Sequence, residues 1–411
     1  MPEVKPDSTR RGVLGIGLLG WVLIAIVLGI VCGMFFPEWL VRAFVTFNGL
    51  FGNYLSFVIP LIIVGLITPA ISELGKGAGK WLGLTAAIAY GSTLFAGFFA
   101  YLSSIAILPT ILAGRSMTSV TNPEDALFGP FFKVEMPPVF GVMTALVLSF
   151  IVGVALTFIK GDVIHRSMVE FRDIVNLVIR TTLIPLLPLY IFGIFLNMSA
   201  TGEAFSIITT FLGVVVFVFA LTVITLLVQY TVSALLFRRN PLVMLKTMLP
   251  AYATALGTSS SAATIPVTLR QTIRMGVSEP VASFVIPLCA TIHLAGSTLK
   301  ITSFALAIMM LSGMSITPGL IAPFIFMLGI TMVAAPGVPG GAIMTAAGLL
   351  TSMLGFTEPQ VGLMIATYIA IDSFGTATNV TGDGAIAAAM HRIITGKTYS
   401  RDDAEQATVA A

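Results

Sequence analysis

Asp372, Thr376, Asn379 and Asp383 recur at intervals of four, three and four within an otherwise apolar stretch. On a helix that spacing aligns them on one face over about three turns. An aspartate at hydrocarbon depth costs about 2.5–3.5 kcal/mol on insertion scales. The stripe therefore calls for cationic partners, either bound cations or a substrate ammonium. The plainer alternative, stronger for Asp383 near the helix end, is that these groups only satisfy polar backbone nearby. His293, Ser297 and Lys300 form a second polar face at steps of four and three. A lysine within the membrane is a functional candidate. It reads as a built-in counter-ion for an aspartate or as a proton carrier, against the alternative of snorkelling to the interface. His293 is likewise either a titrating group or a packed, hydrogen-bonded one. Two further clusters interrupt apolar sequence: Gly257-Thr258-Ser259-Ser260-Ser261, and Pro336-Gly337-Val338-Pro339-Gly340-Gly341. Hydroxyls and free amides at opposed helix ends suit a carboxylate, and a glycine-rich tip suits a moving lid. A simple polar turn and a flexible external loop are the bland readings of these two tips.

The elements that must carry these residues are membrane helices. Of 411 residues, 57% are hydrophobic and 9% charged, and the mean hydropathy is +1.02. Soluble domains carry about 25% charged residues, so most of this chain lacks the polar surface to face water. The net charge of +3 comes without a basic block, which argues against nucleic acid as a partner. Cys32 and Cys289 lie in separate apolar runs and imply neither disulfide nor metal site. No Ser-His-Asp or metal-ligand cluster is evident, so an enzyme is not expected. The run Gly12 to Phe36 exceeds a signal-peptide core and reads as a retained first span. Spans of about 20 residues fit at roughly 12–36, 45–72, 80–113, 137–160, 168–199, 204–237, 277–312 and 357–391.

Charge fixes the orientation. With a cytoplasmic N-terminus, 16 of the 21 Lys and Arg fall on the inner side, Arg42, Arg115 and Lys133 on the outer, and Arg180 and Lys300 within spans. That asymmetry obeys the positive-inside rule. It holds only if each interrupted segment enters and leaves on one side, making both of them re-entrant hairpins. Arg180 reads as snorkelling or paired with Asp173. A hairpin from inside plus a span (about 240–312) is then matched by a hairpin from outside plus a span (about 318–391). Inverted repeats of interrupted segments point to a transporter site near the midplane. The expectation is an all-α membrane protein with eight transmembrane helices and two re-entrant helical hairpins.

Three motifs carry a resemblance to a known family: Ser259-Ser260-Ser261-Ala-Ala-Thr-Ile-Pro266-Val-Thr-Leu-Arg270, Gly337-Val338-Pro339-Gly340, and Asn379-Val-Thr-Gly-Asp383. In that order they resemble the serine-rich hairpin, lid hairpin and last span of the dicarboxylate/amino acid:cation symporters, which include glutamate and neutral amino acid transporters. The resemblance implies a homotrimer in the cytoplasmic membrane, both termini cytoplasmic, whose transport domain moves like an elevator against a scaffold. It assigns residues 1–80 and 137–200 to the scaffold, 81–136 to the third span and external loop, 201–392 to the transport domain and 393–411 to a cytoplasmic tail. It also implies that Asp372 binds a substrate ammonium and that Asn379 contacts the α-carboxylate. Ser260, Ser261, Val338, Pro339 and Gly340 would enclose that carboxylate, with Gly375 and Thr376 lining the pocket. Asp383 would hold sodium with carbonyls near Cys289 and His293 and with Asn379 alongside, and Tyr90 and Thr93 would form part of another sodium site.

Two departures from the family pattern stand out. Acidic-substrate members carry arginine where this chain has Gly375, so no guanidinium fork meets a side-chain carboxylate. The family's Asn-Met-Asp-Gly-Thr is here His293-Leu294-Ala295-Gly296-Ser297, which removes a sodium-binding carboxylate at Ala295. The expectation is a symporter of a small neutral amino acid such as serine, threonine or alanine. Its co-transported ion would be sodium at reduced stoichiometry, with protons carried through His293 or Lys300 as the alternative, and no cofactor. Acidic amino acids or dicarboxylates as substrates, and an anion-conducting channel, are the competing readings.

Overall fold

Apolar sequence in lipid leaves backbone groups no partners but their own, which favours helix throughout. A computed structural model describes residues 18–75, 80–113, 128–200, 204–335 and 340–398, and these contain helices and no strands. The first half is built of long helices: α1 (Leu18–Gly33), α2 (Glu38–Gly75), α3 (Lys80–Ile111), α4 (Val142–Phe158), α5 (Val163–Val178), α6 (Ile184–Ala200) and α7 (Ala204–Phe237). A π-helical turn, Ile179–Leu183, joins α5 to α6. The second half is broken into shorter pieces: α8 (Pro241–Thr258), α9 (Ser261–Arg274), α10 (Glu279–Ile292), α11 (Ala295–Leu311), α12 (Pro318–Val333), α13 (Gly341–Leu354), α14 (Glu358–Ala370) and α15 (Asp372–Thr395).

Among the described residues, five helical segments are long and apolar enough to cross a membrane, and the bent pair α14–α15 makes a sixth. The apolar helix α4 spans 17 residues, at the short limit for hydrocarbon, and α1 is described from Leu18 onward.

Each interrupted segment divides into two helices that pack against each other. In the first, Asn240 caps α8 by accepting from the Leu242 and Val243 amides. Ser259 then turns left-handed at φ 49°, and Ser260 caps α9 by accepting from the Ala263 amide. In the second, α12 packs against α13, and Gly340 opens α13 at φ 75°, a conformation that glycine adopts without strain. Residues 336–339 of that tip, Val338 and Pro339 among them, lie outside the described residues.

The last two spans are also interrupted. The segment of α10 and α11 breaks at His293 and Leu294. The segment of α14 and α15 bends by 62° at Ile371, where the sequence reads as one continuous helix. No proline or glycine marks this bend. A lysine from α11, described below, donates to the two backbone carbonyls at the bend.

These interrupted helices occupy the interior. The most apolar stretch of segment Glu279–Leu311 is 94% buried within the protein, whereas those of the other four spans lie between 33% and 65% and so turn much of their surface outward. Helix α11 packs between α3 and α15, and α15 packs against α7, α8 and α10. On α15, side chains from Asp372 to His391 are buried apart from Phe374. The helices that carry Asp372, Asp383, Lys300 and His293 are therefore among the most enclosed, and their polar groups must find partners in each other.

Candidate functional site

Asp372 is the first residue of α15, where the free amides and the helix dipole favour negative charge. One carboxylate oxygen, Oδ2, accepts from the Gly340 amide of the second hairpin at 2.8 Å. The other, Oδ1, lies 3.5 Å from the Lys300 ammonium. Lys300 also donates to the Ile371 carbonyl at 3.2 Å and the Asp372 carbonyl at 3.4 Å, and its Nζ stands 4.0 Å from the centre of the Tyr368 ring. With 1% exposure, Lys300 does not snorkel, and its ammonium lies beside the Asp372 carboxylate. Gly375 makes the space. A Cβ on that residue would stand 2.3 Å from Lys300 Cε and Nζ.

The first hairpin reaches the same place. Ser259 Oγ lies 2.9 Å from Ser373 Oγ. The N-termini of α9, α13 and α15 thus meet around Asp372, bringing unpaired amides of positive character together. The C-terminus of α14 ends at Ile371, immediately before Asp372. Thr376 lies one turn on and donates to the Asp372 carbonyl at 3.3 Å.

Asn379 links this region to α11. Its Oδ1 accepts from the Gly296 amide at 2.8 Å, and its Nδ2 donates to Ser297 Oγ at 3.1 Å. Tyr368 donates to the same Ser297 hydroxyl at 2.9 Å. The amide oxygen of Asn379 is therefore committed to the N-terminus of α11.

Asp383 occupies a second centre, one to three turns deeper. Its Oδ1 lies 2.9 Å from His293 Nδ1, with both side chains almost fully enclosed. His293 Nε2 faces Ser92 Oγ on α3 at 3.1 Å and Gln229 Nε2 on α7 at 3.5 Å, and Gln229 donates to Ser92 at 2.9 Å. When Nδ1 donates to the carboxylate, the neutral ring accepts at Nε2; the protonated ring donates at both nitrogens. Tyr230 on α7 closes the centre by donating to the Thr381 carbonyl at 2.7 Å.

The structure thus brings Asp372, Gly375, Thr376, Gly340 and Lys300 together around one centre, and His293 and Asp383 around another. Ser260 and Ser261 stand at the start of α9, beside the Ser259–Ser373 contact. The Cys289 carbonyl accepts the His293 amide in the last turn of α10. On α3, the Tyr90 hydroxyl donates to the Phe326 carbonyl at 3.2 Å and Thr93 to the Ala89 carbonyl at 3.0 Å. Val338 and Pro339, and the side chain of Arg180, lie outside the described residues. Sequence reasoning missed Ser92, Gln229, Tyr368 and Ser373. Each is a polar group on an otherwise apolar helix face, a signal too weak without the fold. A separate cavity of about 600 Å³ lies between α2, α6 and the start of α14, lined by Asn48, Asn53, Lys133, Asn197 and Glu358 among others.

Comparison with known proteins matches residues 18–393 to the sodium:dicarboxylate symporter family. The serine/threonine transporter SstT of Acinetobacter baumannii is 27% identical over 396 residues, covering 91% of this chain and 96% of that protein. The serine/threonine transporter SstT of Enterococcus faecalis is 24% identical over 392 residues, covering 91% of each.

Proposed function

The chain belongs to the sodium:dicarboxylate symporter family, and we propose that it is a cation-coupled symporter of a small neutral amino acid. The observation that carries the substrate class is the setting of Asp372. It is a buried carboxylate among helix N-termini, with no arginine beside it because α15 carries Gly375 there. Asp372 binds the substrate ammonium. The amides at the start of α9 and α13, the hydroxyls of Ser260 and Ser261, and Asn379 hold the α-carboxylate. Without a guanidinium fork on α15, a second carboxylate has no matched partner. The serine/threonine relatives at 24–27% identity support this reading over a dicarboxylate.

The eight-span topology with two re-entrant hairpins, the elevator movement of residues 201–392, and a homotrimer with cytoplasmic termini belong to the same proposal. Sodium would enter at Asp383 and nearby carbonyls. A second reading is favoured by one contact: His293 already holds Asp383 at 2.9 Å. A proton carried by His293 would serve as coupling ion there without any further ligand. In proteoliposomes at fixed membrane potential, serine uptake is measured with sodium replaced by choline, and separately with the pH gradient collapsed. Loss only in the first assigns sodium, and loss only in the second assigns the proton. Serine uptake indifferent to both overturns cation coupling.

A further inference from the structure

Lys300 meets Asp372 in a way that a structural ion pair does not require. Its ammonium has three acceptors at the break in the last span: the carbonyl of Ile371, the residue at the bend, and the carbonyl and Oδ1 of Asp372, the first residue of α15. The ammonium sits at Ile371, the residue that closes α14 and precedes α15, and the carboxylate sits at the N-terminal end of α15, where the helix dipole favours its sign. The same carboxylate receives the tip of the second hairpin, through the Gly340 amide at 2.8 Å. Groups of the chain itself therefore neutralise Asp372 and seat the hairpin on it. The contact to Oδ1 is the longest of the three, at 3.5 Å. When it opens, the two carbonyls and the Tyr368 ring at 4.0 Å still hold the charge.

We propose that Lys300 is the built-in cation of the unloaded carrier, an inference that rests on Asp372 being the substrate's ammonium site. When substrate leaves, the Lys300 ammonium takes the place of the substrate ammonium at Asp372 Oδ1. The site is then neutral, and the unloaded transport unit returns across the membrane. Substrate binding exchanges one ammonium for another at a single carboxylate, and Lys300 withdraws onto the end of α14. Without Lys300 the returning carrier would bury an uncompensated carboxylate, which is strongly unfavourable. Gly375 is part of this device, since any side chain there would enter the volume of the lysine head.

Counterflow exchange needs only the loaded carrier to cross, whereas net uptake also needs the unloaded carrier to return. Lys300→Met is compared with the unmodified protein in proteoliposomes, measuring serine counterflow and net serine uptake on the same preparation. The ratio of exchange to net uptake is expected to rise about 100-fold, the rate equivalent of leaving one buried carboxylate unpaired. If Lys300→Met fails to fold, Gly375→Ala provides the second variant; it keeps both charges but pushes the ammonium off Asp372, and raises the same ratio. Exchange and net uptake falling by one common factor in a folded variant, or net uptake staying unchanged, overturns the proposal. Absence of serine counterflow in the unmodified protein would instead overturn the reading of Asp372 on which it rests.

Discussion

The interrupted spans bring two basic residues of one to two aspartates of the other, yet the two meetings differ in kind. Lys300 and Asp372 meet at a helix break, against a hairpin tip, at 3.5 Å, with backbone carbonyls sharing the ammonium. His293 and Asp383 meet at 2.9 Å inside a closed ring of side chains from α3 and α7. Asp372 has the N-terminus of α15 and a hairpin amide to support its charge. Asp383 lies in the middle of α15, where backbone amides are already used within the helix, so it leans on a side chain. The first pair has substitutes for each partner and so can exchange them. The second is closed in by Ser92 and Gln229, so a cation that binds at Asp383 must compete with the His293 contact.

Removing the exchangeable carboxylate is the hardest blow to this comparison. Asp372→Asn leaves Lys300 buried without its acid and the substrate ammonium without a partner, a loss of about 3–5 kcal/mol. Serine uptake by the purified variant is expected to fall below one hundredth of the normal rate while the protein still inserts, about what that energy implies. Near-normal affinity would erase the distinction between the two centres.

A smaller effect is expected at the second pair. Asp383→Asn replaces a charge-assisted hydrogen bond worth about 1.5–3 kcal/mol by a neutral one. Gradient-driven uptake should drop roughly tenfold or more, with serine binding by calorimetry less affected than in Asp372→Asn. Equal losses of binding in both variants would make the centres one site.

Specificity sharpens the comparison further. Gly375→Arg places a guanidinium beside Asp372 but collides with Lys300, so the paired change Gly375→Arg with Lys300→Met is the informative one. Competition assays should show aspartate gaining on serine by about tenfold, as a bidentate carboxylate contact allows. The mildest change is Ser373→Ala, which removes the 2.9 Å contact to Ser259. A neutral hydrogen bond of about 1 kcal/mol predicts a several-fold faster opening of the first hairpin, read from serine release.

Much of this was legible beforehand because polar residues in an apolar chain have few innocent explanations. Asp372, Asp383, Lys300 and His293 declared themselves by type and spacing, and the serine and glycine tips by interrupting apolar runs. Which base meets which acid was not legible, since it depends on how far the two breaks displace their helices. The bend at Ile371 left no local mark: Ala370-Ile371-Asp372-Ser373 reads as ordinary helix, and the break is stabilised by a lysine 71 residues away. Ser92 was hidden between Tyr90 and Thr93, whose hydroxyls bond to nearby carbonyls while Ser92 faces His293.

The central claim, that Asp372 receives the ammonium of a neutral amino acid in a site with no clamp for a second carboxylate, is tested most directly by substrate competition. Labelled serine uptake into proteoliposomes is challenged with unlabelled serine, threonine and alanine, and in parallel with aspartate, glutamate and succinate. Inhibition by the neutral amino acids at concentrations well below those of the acidic compounds is the predicted result. Succinate, which has no ammonium, competing as well as serine would contradict it.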